Sequence, residues 1–177
     1  MFTSSRRATG LLVLAVCLCQ PVSATDTPAL GEPVPSAEIA RWDISIPPSG
    51  EGLPKGGGTA RQGAPIYQAK CQSCHGEKGT DGLADPLAGG MGTLASGAPV
   101  RTVGSYWPYA TTLFDYVRRA MPLANPLSLT NDEVYAVSAY VLYLNGIIGE
   151  DIAVNAQTLP RIKMPNREGF IGDWPTR

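Results

Sequence analysis

The run Cys71-Gln72-Ser73-Cys74-His75 constrains this chain more than any other stretch. Two thiols three residues apart, with a histidine beside the second, form a CxxCH pattern. On one helical turn both sulfurs can add to the vinyl groups of a single haem, and the histidine then reaches the iron from one face. The competing readings are a chance run, half of a zinc site, or a thioredoxin-like redox pair. A zinc site needs four ligands, usually from two such pairs, and the sequence has no second pair. One covalent haem c on Cys71, Cys74 and His75 is therefore expected.

The start of the chain points to export. MFTSSRRATGLLVLAVCLCQPVSA has Arg6 and Arg7, an apolar run from Leu11 to Leu18, and Val22-Ser23-Ala24 as a small-residue cleavage site. That is the layout of a signal peptide over 1–24, and it predicts a periplasmic protein. Leu14-Ala15-Val16-Cys17 is a poor lipoprotein site because valine precedes the cysteine, and no apolar pair follows Arg6-Arg7 as a twin-arginine signal would need. The apolar run is too short to span a bilayer unaided, so no membrane span is expected in the mature chain. Cleavage removes Cys17 and Cys19, leaving Cys71 and Cys74 for thioethers and none for a disulfide. The full chain carries 14 basic and 15 acidic residues. With no basic patch, nucleic acid is not an expected partner.

Around the motif the text divides into four parts. After the leader, 25–55 is rich in Pro and Gly and resists regular structure. It contains Ile39-Ala40-Arg41-Trp42-Asp43-Ile44-Ser45-Ile46, apolar enough either to pack on its own domain or to dock on a partner with Trp42 as anchor. The haem-bearing part is 56–148, and 149–177 reads as an extended tail.

Within 56–148 a first helix is predicted from near Gly63 into the motif, with Pro65 in its first turn. Gly63, Tyr67 and Cys71 then share one face. A Gly-rich loop, 76–104, follows. Tyr106-Trp107-Pro108-Tyr109 leads to Thr111, expected as the N-cap of a helix through Ala120. Arg118 and Arg119 in its last turn suit the helix dipole or pair with a haem propionate. The aromatics divide between pocket wall and ordinary core in the same way. A last helix opens at Thr130-Asn131-Asp132-Glu133, a capping box with Leu129 and Val134 as staple, and closes at Asn145-Gly146. It is apolar all round, with Val134, Val137, Val141 and Leu144 on one side and Tyr135, Ala139, Leu142 and Tyr143 on the other, so it needs cover on both faces, for which the tail from Glu150 to Arg177 is a candidate.

His75 is the chain's only histidine, which leaves a methionine sulfur or an open site opposite it. Met91, Met121 and Met164 are the candidates. Met121 precedes a proline and a loop, a capped helix follows, and the intervening chain is long enough to pass around a haem edge. Position therefore selects Met121 as the second iron ligand. Two such strong-field ligands favour electron transfer over oxygen chemistry.

Gly63, Tyr67, the CxxCH run, Met121-Pro122 and the last helix with Val137 and Tyr140 together resemble a class I cytochrome c. The resemblance implies an all-α fold, a small helical bundle around one covalent haem, here with extended N- and C-terminal arms. It implies that Gly63 and Tyr67 meet Val137 and Tyr140, and that His75 and Met121 are the axial ligands. Longer phrases, SAEIARWDISIPPSGEGLPKGGGTA, GSYWPYATTLFDYVRRAMP, NDEVYAVSAYVLYLNGII and LPRIKMPNREGF, resemble the cytochrome c subunits of molybdenum sulfite or sulfane dehydrogenases, Sox sulfur dehydrogenases among them. That implies a non-catalytic electron-transfer subunit partnered by a molybdopterin catalytic subunit, with a downstream cytochrome c or terminal oxidase as acceptor. Many Sox cytochrome subunits carry two haem domains, whereas this chain has one CxxCH. The alternative expectation is a free, diffusible periplasmic carrier.

Overall fold

The computed structural model describes residues 31–171. The expected leader, 1–24, and Trp174 lie outside them. The chain divides into two units, Met1–Ile39 and Ala40–Arg177. Helix α1, Ser36–Trp42, runs across that division and has no buried residue; Trp42 is 79% exposed. The remaining elements all belong to the second unit. In order they are β1 (Gly57–Gly58), α2 (Ala60–Lys70), α3 (Gln72–His75), α4 (Ala110–Ala120), α5 (Asn131–Leu144), β2 (Val154–Asn155) and a 3-10 turn (Leu159–Arg161). The expected all-α class holds, with a two-residue antiparallel ladder, Gly57 opposite Asn155 and Gly58 opposite Val154, as the only sheet among the described residues.

Helix α2 starts earlier than the sequence reading placed it. Thr59 caps it by accepting from the Gln62 N–H, while the Gln62 side chain accepts from the Thr59 N–H. This capping box satisfies two of the donors that a helix start leaves free. Pro65 consequently lies inside the helix and not in its first turn, where it forgoes one backbone bond. Helix α4 also differs. It begins at Ala110 after Tyr109, which makes no side-chain cap, and Thr111 is buried one residue inside.

Helix α5 is built as expected. Thr130 and Glu133 form the capping box. At the other end Gly146 N–H bonds to Tyr143 C=O and Ile147 N–H to Leu142 C=O, the paired bonds of a Schellman cap. That cap needs a left-handed residue, and Gly146 supplies it at φ +67°.

The crossing of α2 and α5 is the centre of the unit. A side-chain carbon on Gly63 would collide with the Ala136 backbone, so only glycine lets the helices come this close. Beside it the Tyr67 and Tyr140 rings stack tilted with centroids 5.1 Å apart. Lys70 pairs with Glu133 across the crossing at 2.9 Å. Tyr140 thus meets Gly63 and Tyr67 as expected, but the backbone against which Gly63 sits is that of Ala136, not Val137.

The opposite side of α5 is covered by α4 and by the chain's own flanking segments. Phe114 on α4 meets Tyr135 with centroids 4.4 Å apart. The Tyr135 hydroxyl donates to Pro54 C=O at 2.9 Å. Ile46, Val154, Leu159 and Met164 are all buried in the same core. Asp115 helps to fix the N-terminal segment: its carboxylate accepts from the Ile46 N–H at 2.9 Å and pairs with Arg119. Arg118 donates to Ile44 C=O at 3.3 Å. Both arginines therefore have protein partners.

Candidate functional site

The CxxCH run sits where α2 gives way to α3. Cys71 ends α2, with its N–H bonded to Tyr67 C=O, and begins α3. The Cys74 and His75 N–H groups both return to Cys71 C=O, at 3.1 and 3.0 Å, which winds the two thiols and the imidazole onto one turn. The Tyr67 hydroxyl donates to Gly76 C=O at 2.9 Å and ties the exit of that turn back to α2. Burial pushes the Tyr67 phenol up to about 12, so it stays a neutral donor at physiological pH.

Burial likewise pushes the Cys71 thiol up to about 11, against the opposing effect of Lys70. A thioredoxin-like cysteine needs the reverse shift to become a thiolate. Among the described residues no three His, Cys, Asp or Glu side chains converge as a metal site.

His75 is oriented by the loop that follows it. Its Nδ1 lies 3.0 Å from Asp85 C=O. A carbonyl can only accept, so Nδ1 carries the proton and Nε2 keeps its lone pair for a metal. Asp85 was not singled out in the sequence; a backbone carbonyl leaves no residue-type signal, and only the Asp85-Pro86 step after the motif hints at a fixed turn.

The three candidate methionines separate by environment. Met164 is 3% exposed in the core, and Met91 is 53% exposed in the Gly-rich loop. Met121 lies between them, half-buried where α4 ends, with its N–H bonded to Val117 C=O. Leu83 follows His75, and Leu123 and Leu127 follow Met121; all three leucines are exposed. The donor set of two thiols, one Nε2 and one thioether, with apolar surface on both loops, fits a haem c: Cys71 and Cys74 would hold it and His75 and Met121 would face its iron.

The aromatic stretch has protein partners throughout. Asn166 Nδ2 donates to Tyr106 C=O at 2.6 Å, Arg101 lies over the Tyr106 ring at 5.4 Å, and Arg167 over Tyr109 at 4.6 Å. Trp107 meets Tyr116 edge-on at 5.9 Å. No described helix is long and apolar enough to cross a membrane.

A family model described as cytochrome C oxidase, cbb3-type, subunit III, matches residues 58–141. No curated protein matches the sequence. A chain in the crystal structure of the sulfane dehydrogenase SoxCD from Paracoccus pantotrophus superposes with a TM-score of 0.76 at 39% identity, over 82% of this chain and 72% of that one. A chain of the thiosulfate dehydrogenase TsdBA from Marichromatium purpuratum aligns at 26% identity over 50% of this chain and 20% of that one, with a TM-score of 0.37 that does not bear on the fold. The chain thus belongs to the class I c-type cytochromes, a family with covalently bound haem c and an electron-transfer role, and along most of its length it is similar to a chain of SoxCD.

Proposed function

We propose that this chain is the monohaem electron-transfer subunit of a periplasmic molybdenum-dependent sulfite or sulfane dehydrogenase. It takes electrons from a separate molybdopterin subunit that performs the sulfur chemistry. It passes them to a downstream cytochrome c or terminal oxidase. The observation that carries this reading is the reach of the likeness to SoxCD: 82% of the chain, well beyond the 58–141 span of the family model. The likeness therefore takes in flanking segments that a minimal haem domain does not need.

Bound haem supplies a one-electron iron couple. In this reading Cys71 and Cys74 would anchor it as thioethers, and His75, through Nε2, and Met121 would ligate its iron. Two strong-field ligands leave no coordination position open, which suits electron transfer. The leader is 1–24, the haem domain 56–148, and 25–55 and 149–177 flank it.

The test uses the mature chain carrying haem, mixed with a molybdopterin sulfite or sulfane dehydrogenase subunit. Sulfite or a sulfane substrate should then reduce the haem, and the two proteins should co-elute. Elution at the cytochrome's own mass with no substrate-dependent reduction would instead favour a diffusible carrier.

A further inference from the structure

Asn145, the residue that closes α5, is bonded to the loop that orients His75. Its Nδ2 donates to Val141 C=O at 2.9 Å within the helix and to Leu87 C=O at 3.0 Å in the loop. Leu87 lies two residues beyond Asp85, whose carbonyl faces His75 Nδ1. The link between them is stiff. Pro86 has a fixed φ, and a residue before proline is restricted to extended conformations. Anchoring the Leu87 carbonyl therefore limits how the Asp85 carbonyl can turn.

The other anchors of this segment are backbone bonds, one of them to the motif itself: Ala84 N–H bonds to Cys74 C=O at 2.8 Å. Leu87 and Ala88 N–H groups bond to Gly79 C=O at 2.7 and 3.0 Å, and Val103 N–H bonds to Leu87 C=O at 3.2 Å. Among the side chains of α5 and its cap, only Asn145 has a hydrogen bond to this loop in the described residues. We infer that Asn145 is a positioning residue for the proximal histidine, acting through Leu87 and Asp85 to hold the Nδ1–H···O=C bond. A firm bond at Nδ1 makes the ring a more basic ligand, which favours the oxidised iron. Loosening it should raise the reduction potential. The inference rests on His75 being the iron ligand.

The test compares holo wild type with Asn145→Leu and Asn145→Ser. Leucine has similar bulk and no donor. Serine can keep the bond to Val141 C=O through its hydroxyl, but it is too short for Leu87. Tyr135→Phe, which removes a hydrogen bond on the opposite side of α5, is the control for general destabilisation. Proton NMR reads the His75 Nδ1–H, and a redox titration reads the midpoint potential. Both Asn145 variants should exchange that proton about tenfold faster than wild type and titrate at a higher potential, while Tyr135→Phe keeps wild-type values. If either folded Asn145 variant shows a lower melting temperature with unchanged exchange and potential, Asn145 is only a helix cap and the inference is wrong. Absence of a haem-shifted His75 signal in the wild type would overturn the ligation itself, and the inference with it.

Discussion

The two sides of α5 are held by different means. Toward α2 the fit is backbone against backbone: Gly63 sits on Ala136, and Tyr67 and Tyr140 flank the contact. Toward α4 the fit is made by side chains from segments far apart in sequence, Ile46, Leu159 and Met164 among them. A backbone contact tolerates no added atom, whereas a side-chain cover can lose one and partly relax. The first side also runs directly into Cys71, whereas Ile46, Leu159 and Met164 lie in segments that carry none of the proposed haem-binding residues. Damage to the first should therefore reach the haem, and damage to that flanking cover should reach only stability.

The largest effect on stability is expected on the covered side. Leu159→Ala truncates a fully buried leucine and should cost about 3 kcal/mol. Chemical denaturation of the holo protein should show that loss with an unaltered haem spectrum; a shifted spectrum would erase the distinction between the sides. Gly63→Ala should cost about 2 kcal/mol through overpacking and should disturb the haem absorption bands.

Tyr135→Phe leaves Pro54 C=O without its donor and should cost about 1 kcal/mol, again with the haem spectrum unchanged. The smallest effect belongs to Glu133. The Thr130 backbone N–H, and then Lys70, hold its carboxyl below the ordinary value of 4.5. Its contribution is present above that ordinary value and is lost as pH falls through the depressed folded one. Both partners are partly exposed, so the loss should stay below about 1 kcal/mol. Melting curves across the acid range should be flatter for Glu133→Gln than for wild type.

Much of this was readable in the sequence because it is local. The Thr130–Glu133 box, the Asn145-Gly146 stop and the CxxCH turn each set their geometry within a few residues. The Thr59-Ala60-Arg61-Gln62 box was equally present, but Gly56-Gly57-Gly58 before it and Pro65 after it suggested a later helix start. Thr111 was misplaced because its residue type suits a cap, whereas burial puts it inside the helix. That the tail from Glu150 supplies part of the cover of α5 was readable, because α5 is apolar all round; which residues make the contacts was not. The contacts from Ile46 to Asp115 and from Tyr135 to Pro54, and the ladder pairing Gly57 with Asn155, join distant positions with no shared pattern. An apolar residue in Pro- and Gly-rich text looks the same whether its own core or a partner receives it. Ile46 is buried and Trp42, four residues earlier, is exposed.

The proposed ligand set is tested most directly by the weak red sulfur-to-iron absorption band of the ferric holo protein. Wild type should show this band, Met121→Ala should abolish it, and Met91→Ala and the volume-conserving Met164→Leu should retain it. Persistence of the band in Met121→Ala, or its loss in Met91→Ala or Met164→Leu, would mean that Met121 is not the second iron ligand.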